Sequence, residues 1–138
     1  MKVREAAPGE RDACRELYRR TGYAGGVAPK DLVLAAFEGE RLVGAVRLCR
    51  EFGVVVLRGM QVLEEHRRQG VGTLLLRACE ERLQGSVCWC VPYRHLEGFY
   101  GQAGFVVADG APQGLVERLG RYDAEGLDVV LMRRPAPR

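Results

Sequence analysis

Arg67, Gly70 and Gly72 form an R-x-x-G-x-G pattern within the stretch Val62-Leu-Glu-Glu-His-Arg-Arg-Gln-Gly-Val-Gly-Thr. The pattern starts where a strand-like run ends and stops where an amphipathic run begins. Glycines without side chains let a backbone approach a phosphate closely. The first amides of a helix have no partner inside it, and the helix dipole adds partial positive charge there. Together these features make an anion seat of the kind used for pyrophosphates. The plainer reading is that Gly70 and Gly72 only shape the turn into a helix. The dinucleotide fingerprint G-x-G-x-x-G is absent. A second pattern lies downstream in His95-Leu-Glu-Gly-Phe-Tyr-Gly-Gln-Ala-Gly-Phe, where Tyr100, Gly104 and Phe105 give Y-x-x-x-G-F.

Two arginines form a third candidate. If Phe52-Gly53 is a two-residue hairpin turn, Glu51 faces Val54 and counting back sets Arg47 opposite Arg58. Like charges across a ladder are destabilising unless an anion sits between them. Arg47 and Arg58 could therefore bind a carboxylate or another acidic group. The alternatives are a solvated face, a pairing with a nearby glutamate, or a register slip that separates the two. Cys14, Cys49, Cys79, Cys88 and Cys90 are an odd set in a chain with no visible export signal, against a disulfide framework. Cys88 and Cys90 flank Trp89, which is no common zinc spacing. Buried thiols are expected, and no metal.

The elements that must position these residues alternate along the chain. Residues 3–6 read as a short strand, and Ala13, Leu17 and Tyr18 fall at helical spacing. Thr21–Pro29, rich in glycine and small residues, reads as a loop. Leu32–Phe37, Arg41–Cys49 and Val54–Val62 read as strands of an antiparallel meander. A helix is expected over Val71–Leu83, a strand at Val87–Val91, a short helix at Leu96–Gln102, a strand at Phe105–Val107, a helix near 112–122, and a closing strand at Leu127–Met132. Hairpins followed by one strand–helix–strand crossover give an α+β plan.

The 138 residues suit one domain over 1–138. No apolar run approaches the roughly 20 residues of a membrane span. The expectation is a soluble cytoplasmic protein without a membrane partner. Net charge is +3, with basic residues scattered, so no concentrated stripe points to nucleic acid. The balance suits a small polyanion.

With both motifs in this order, separated by one helix and one strand, the sequence resembles the GNAT superfamily of acetyl-CoA-dependent N-acetyltransferases. The resemblance covers residues 3–107 in plan and 54–105 in detail. It implies a mixed, mostly antiparallel sheet with a splayed parallel strand pair, flanked by helices. It implies that acetyl-CoA is the cosubstrate, with the amides of Arg68, Gln69, Gly70, Val71, Gly72 and Thr73, after Arg67, holding its pyrophosphate. The backbone of Met60, Gln61 and Val62 would pair with the pantetheine arm. Tyr100 matches the general acid that protonates the departing thiolate. His95 stands where many members carry asparagine. Phe99 would pack beside the pantetheine or into the core. Tyr23, Gly25 and Gly26 occupy the place of a lid over the acceptor, and Arg47 with Arg58 would then hold an acidic group of that acceptor.

Amine attack on a thioester needs a neutral amine, a polarised carbonyl and a proton for the sulfur. No carboxylate lies on Val54–Val62 to act as base, and Glu64, Glu65, Glu51 and His95 offer only partial substitutes. The reading is direct transfer of acetyl to a primary amine of a small-molecule acceptor. The competing reading is a non-catalytic acyl-CoA-binding sensor or interaction module. A longer acyl donor and a homodimer through 127–132 are left open.

Overall fold

Apolar runs between residues 32 and 62 fold as three successive strands in the computed structural model, which describes residues 1–135. The strands are β1 (Lys2–Glu5), β2 (Leu32–Glu38), β3 (Arg41–Glu51), β4 (Val54–Val62), β5 (Cys88–Cys90), β6 (Val106–Val107) and β7 (Met132–Arg134). They form one mixed sheet in the order β1-β2-β3-β4-β5-β7-β6. The helices are α1 (Arg11–Thr21), α2 (Val71–Leu83), α3 (Glu97–Gly101) and α4 (Gln113–Ala124). None of the described helices is long and apolar enough to cross a membrane. The chain divides into two compact units, one of Met1–Cys49 with Leu57–Arg82 and one of Arg50–Val56 with Leu83–Arg138.

In the first unit β1 pairs antiparallel with β2, from Lys2 opposite Phe37 to Glu5 opposite Leu34, and β2 pairs antiparallel with β3. Val33 to Phe37 are all buried, so β2 reads as a continuous apolar run rather than an alternation. Cys14, Leu17 and Tyr18 form the buried stripe of α1, whereas Ala13 is exposed. The i, i+3, i+4 spacing starts one residue later than the sequence suggested. Val71, Leu75, Leu76, Cys79 and Leu83 are the buried face of α2. Each buried leucine contributes roughly 1.5–3 kcal/mol. Gly44 in β3 lets α2 approach closely, since a methyl group there would lie 3.1 Å from both Leu75 Cδ1 and Val71 Cγ1.

The second unit opens with the hairpin turn. Phe52 and Gly53 have φ of 54° and 77°, the double left-handed form whose twist matches flanking strands. A phenylalanine rarely adopts this conformation. Its ring is held by the Arg118 guanidinium, 5.4 Å from the centroid, and lies where a side chain on Gly114 would be. β5 pairs parallel with Val55 and Val56 of β4 and antiparallel with β7. Val56, Trp89, Leu115 and Leu131 form the core of this unit.

Strands β1, β2, β5 and β6 shift by one residue at one or both ends, and two others differ by more. β3 continues to Glu51. β7 spans Met132–Arg134, not 127–132, and lies between β5 and β6, leaving β6 at the edge. The apolar run before it is held by other bonds: the Val130 amide donates to Pro92 O at 2.9 Å, and Leu131 O accepts from the Ala108 amide at 3.1 Å. Burial, not ladder pairing, explains why those residues are apolar.

Candidate functional site

The glycine loop follows β4 in the first unit. A single 3-10 turn, Glu64–His66, carries the chain from the strand. Arg68 and Gly70 then both take left-handed backbones, with φ of 64° and 82°. Left-handed residues between others aim successive amides inward and make an anion-binding concavity. Gly70 does this without strain, whereas Arg68 takes an uncommon conformation for its type. The first α2 amide with a helical partner belongs to Leu74, which donates to Gly70 O at 3.1 Å. The amides of Arg68, Gln69, Gly70, Val71, Gly72 and Thr73 have no acceptor among the described residues. The start of α2 thus presents a row of amides without internal partners.

Side chains of the loop turn back on its own backbone. Gln69 Nε2 donates to Glu65 O at 3.2 Å, and Arg67 Nε donates to Val62 O at 3.1 Å. Arg67 thereby fastens the end of β4, where Met60, Gln61 and Val62 are half-buried. Glu65 forms ion pairs with Arg41 (2.7 Å) and Arg20 (3.6 Å). Its carboxyl is held below the usual range, first by its own backbone amide and then, against some desolvation, by those cations. Ionised and held by two arginines, it is a poor proton acceptor.

Arg47 departs most from the sequence reading. Its guanidinium donates from Nε to the Tyr18 hydroxyl (3.3 Å), from Nη1 to Asp31 Oδ2 (3.0 Å) and from Nη2 to the Tyr23 hydroxyl (2.6 Å). It is 3% exposed. The expected pairing of Arg47 with Arg58 about an external anion gives way to an internal pairing with Asp31. Burial opposes charge on Arg47, but Tyr23, Tyr18 and Asp31 outweigh it and hold the guanidinium above its ordinary value. Burial likewise pushes the Asp31 carboxyl up. The Ala28 amide and Arg47 overcome that and leave it below the usual carboxylate range.

Beyond Arg58, the count from the hairpin does not persist along the ladder. Glu51 facing Val54 would bring Val62 to Val43, yet the Leu63 amide donates to Val43 O at 2.9 Å. Gly59 is the only β4 residue with a left-handed backbone, φ 68°, the form a bulge residue takes. Arg58 itself is half-buried.

The loop after α1 is fastened, not loose. The Gly22 amide donates to Arg19 O at 3.2 Å and the Tyr23 amide to Tyr18 O at 3.0 Å. With Gly22 at φ 78° this is a Schellman ending. It places the Tyr23 ring against Tyr18, with centroids 4.7 Å apart. Farther on, Arg11 donates to Asp31 O and Ala28 O, and Arg15 to Val27 O. The expected flexible lid of Tyr23, Gly25 and Gly26 is therefore a strap. Asp31, Tyr18 and Gly59 were missed in the sequence, although a glycine following a helix and a glycine inside a strand were readable signals.

In the second unit α3 follows β5 through the 3-10 turn Arg94–Leu96. Tyr100 is buried, edge-on to Phe99 (5.0 Å) and to Phe105 (5.9 Å). Its carbonyl accepts from the Ala103 amide at 3.0 Å, so the Y-x-x-x-G-F residues close their own turn. Gly104 takes φ 85° there. Phe99 is half-buried, and exposed His95 stacks on Tyr93 with ring planes 13° apart. Glu51 is paired with Arg118 at 2.5 Å, so its carboxylate too is committed. All five cysteines are buried thiols. Burial raises the Cys14 thiol to about 11, and burial with Cys88 alongside pushes that of Cys90 well above its ordinary value. Neither thiol has the thiolate character a nucleophile needs.

Known proteins share this architecture. An aminoglycoside 6'-N-acetyltransferase complexed with coenzyme A is 17% identical, aligned over 100% of this chain and 99% of its own, with a TM-score of 0.71. The ribosomal-protein-S18-alanine N-acetyltransferase from Escherichia coli is 15% identical over 96% of this chain and 91% of its own, TM-score 0.70. Arabidopsis thaliana Naa50, solved with the bisubstrate analogue CoA-Ac-MVNAL, is 17% identical over 96% and 97%, TM-score 0.70. No curated protein matches the sequence. The family described as Acetyltransferase (GNAT) domain matches residues 29–107, more than half of the chain. The seven-stranded mixed sheet, the glycine loop opening α2 and this match together place the chain in the GNAT acetyltransferase family.

Proposed function

We propose that the protein moves an acetyl group from acetyl-CoA to a primary amine of a small acceptor, directly, within a ternary complex. The whole of residues 1–138 is read as one acetyltransferase domain, in keeping with the 96–100% coverage by similar structures. The observation that carries the reading is the row of unclaimed amides from Arg68 to Thr73, with left-handed Arg68 and Gly70 among them. Such a row fits a diphosphate at a helix start. Acetyl-CoA supplies an activated thioester.

The chain's own residues supply the rest. The loop amides bind the diphosphate, and the backbone of Met60–Val62, steadied by Arg67, aligns the pantetheine arm. Phe99 packs beside it, and His95 contributes a contact from the 3-10 turn before α3. Tyr100 gives its hydroxyl proton to the departing sulfur. Direct transfer is supported by the buried thiols, which offer no acyl carrier. With Glu51 and Glu65 committed to arginines, the amine arrives deprotonated or loses its proton to water. Five unbridged thiols fit a reducing cytoplasmic setting.

Calorimetry with coenzyme A and thiol release from acetyl-CoA test this reading, using an aminoglycoside, an alanine-headed peptide and the peptide Met-Val-Asn-Ala-Leu as amines. Binding with turnover of at least one amine is expected. Tyr100→Phe should slow turnover by about a hundredfold, a typical general-acid contribution, without loosening coenzyme A. Binding with no transfer to any amine would favour the non-catalytic sensor, and no binding at all would defeat both.

A further inference from the structure

Arg47 spreads its three nitrogens over Tyr18, Asp31, Tyr23 and the Cys49 sulfur instead of spending them on one carboxylate. Tyr18 lies in α1, Asp31 just before β2, and Tyr23 on the strap between them. Tyr18 is buried at 1% exposure, whereas Tyr23 is only half-buried. The Tyr23 oxygen accepts from Arg47, and its own proton finds no acceptor among the described residues. A phenol that accepts from a guanidinium becomes a stronger donor. Gly25 backs the ring, since any side chain there would overlap it. The cluster borders β4 at left-handed Gly59, immediately before the Met60–Val62 stretch that runs into the glycine loop. A methyl group at Gly59 would lie 2.5 Å from the Tyr18 hydroxyl and 3.1 Å from Arg47 Nε. Glycine takes this backbone without strain, and its missing side chain makes the room that the cluster occupies.

We propose that Arg47 is a positioning residue and Tyr23 a specificity-determining one. Arg47 fixes the phenol, and the Tyr23 hydroxyl donates to an oxygen, carbonyl or carboxylate, adjacent to the amine of the acceptor. The proposal rests on the acetyltransferase reading above. It replaces a direct arginine–carboxylate contact, which the occupied guanidinium does not permit, and it admits neutral amides as well as acids.

The test measures kcat/KM by thiol release for two probe amines, glycinamide and ethylamine, with wild type, Tyr23→Phe, Gly25→Ala and Arg47→Met. Only glycinamide carries an oxygen next to its amine. The different basicities of the probes cancel when the wild-type ratio is divided by a variant's ratio. In Tyr23→Phe the glycinamide preference should fall about tenfold, the factor one lost hydrogen bond implies, through the KM of glycinamide with kcat little changed. Gly25→Ala, which leaves the Arg47–Asp31 pair intact, should give a similar fall by displacing the ring. Arg47→Met should reproduce it together with about tenfold faster hydrogen exchange at the Ala28 amide, which now donates to Asp31 Oδ2 at 2.8 Å.

An unchanged ratio in Tyr23→Phe overturns the proposal. A fall in Arg47→Met without faster exchange overturns the positioning role, because Arg47 would then touch the acceptor itself. Calorimetry with acetyl-CoA separates the failures. A wild type that binds acetyl-CoA but turns over neither probe overturns this proposal alone, and one that binds no acetyl-CoA overturns the underlying reading too.

Discussion

Each unit of the molecule buries one arginine against a carboxylate, and the two do different work. Arg118 sends Nη1 and Nη2 to the two oxygens of Glu51, at 3.2 and 2.5 Å. Its flat face covers Phe52, and it stands on α4. A fork consumed by one carboxylate is a staple, here holding a left-handed phenylalanine at a hairpin tip. Arg47 meets Asp31 with one nitrogen only and gives the others to phenols. A fork divided in this way organises polar groups rather than neutralising one. Both guanidiniums lie over aromatic rings, Arg47 at 5.5 Å from Tyr18 and 5.7 Å from Tyr23, so ring contact does not distinguish them. The distribution of donors does.

Removing each cation gives the widest separation between the two. The Arg47 and Asp31 side chains are 4% and 7% exposed, so Arg47→Met leaves a carboxylate buried without its partner. Such losses cost about 3–5 kcal/mol. The Glu51 side chain is 21% exposed and can take up water when Arg118→Met removes its partner, so about 1–2 kcal/mol is expected there. Urea unfolding of the two variants measures the difference. The double substitution Arg47→Met with Asp31→Leu should recover a good part of the loss, since it removes the stranded charge. Equal midpoints for the two single variants would mean that the clusters are energetically alike.

A smaller contrast comes from the left-handed glycines beside each arginine. At Gly59 an added methyl group meets the Tyr18 hydroxyl and Arg47 at once, whereas at Gly53, φ 77°, it meets nothing within 4 Å. Gly53→Ala should therefore cost only the backbone penalty, about 1 kcal/mol. Gly59→Ala adds steric conflict with a buried cluster and should cost about 2–3 kcal/mol. Thermal unfolding midpoints check this ordering. Comparable losses would show that the Arg47 cluster yields easily and does not hold its shape.

The same contrast explains what the sequence disclosed. The glycine loop was legible because its parts are contiguous: strand end, left-handed glycine, helix start. So were β4 and α2, whose limits at Val54–Val62 and Val71–Leu83 match the expected ones. The Arg47 cluster was not, because its partners lie 16 and 29 residues away and no local pattern joins them. Counting from the hairpin places Arg47 by strand register alone, and register says nothing of the groups from α1 and the strap that take up its guanidinium. Residues 127–131 looked like a strand because apolar content reports burial, which an irregular segment satisfies equally well. Gly22 before Tyr23 was a readable helix stop whose consequence, a tyrosine laid on Tyr18, needed only the capping geometry.

Acid gives the gentlest separation of the arginine clusters. Asp31 has a folded-state pKa below its unfolded value. Its stabilising contribution is thus present above the ordinary carboxylate value of about 3.9 and is lost as pH falls through the lower folded value. Arg47 keeps its charge throughout, so protonating Asp31 removes half of a buried pair without altering its shape. Glu10 titrates in the same window: the Arg4 bond, then the Ala7 amide, holds it at about 2. A Glu10→Gln background removes that overlap. In this background, the one proton Asp31 takes up should contribute up to about 1.4 kcal/mol per pH unit to the fall in unfolding free energy as pH drops below 4, on top of what the depressed Glu65 carboxyl adds. Adding Asp31→Asn should flatten the curve by that amount, at a lower starting stability. Equal slopes with and without Asp31 would show that its carboxyl is not held ionised by the cluster, and the distinction drawn between the two arginines would lose its electrostatic half.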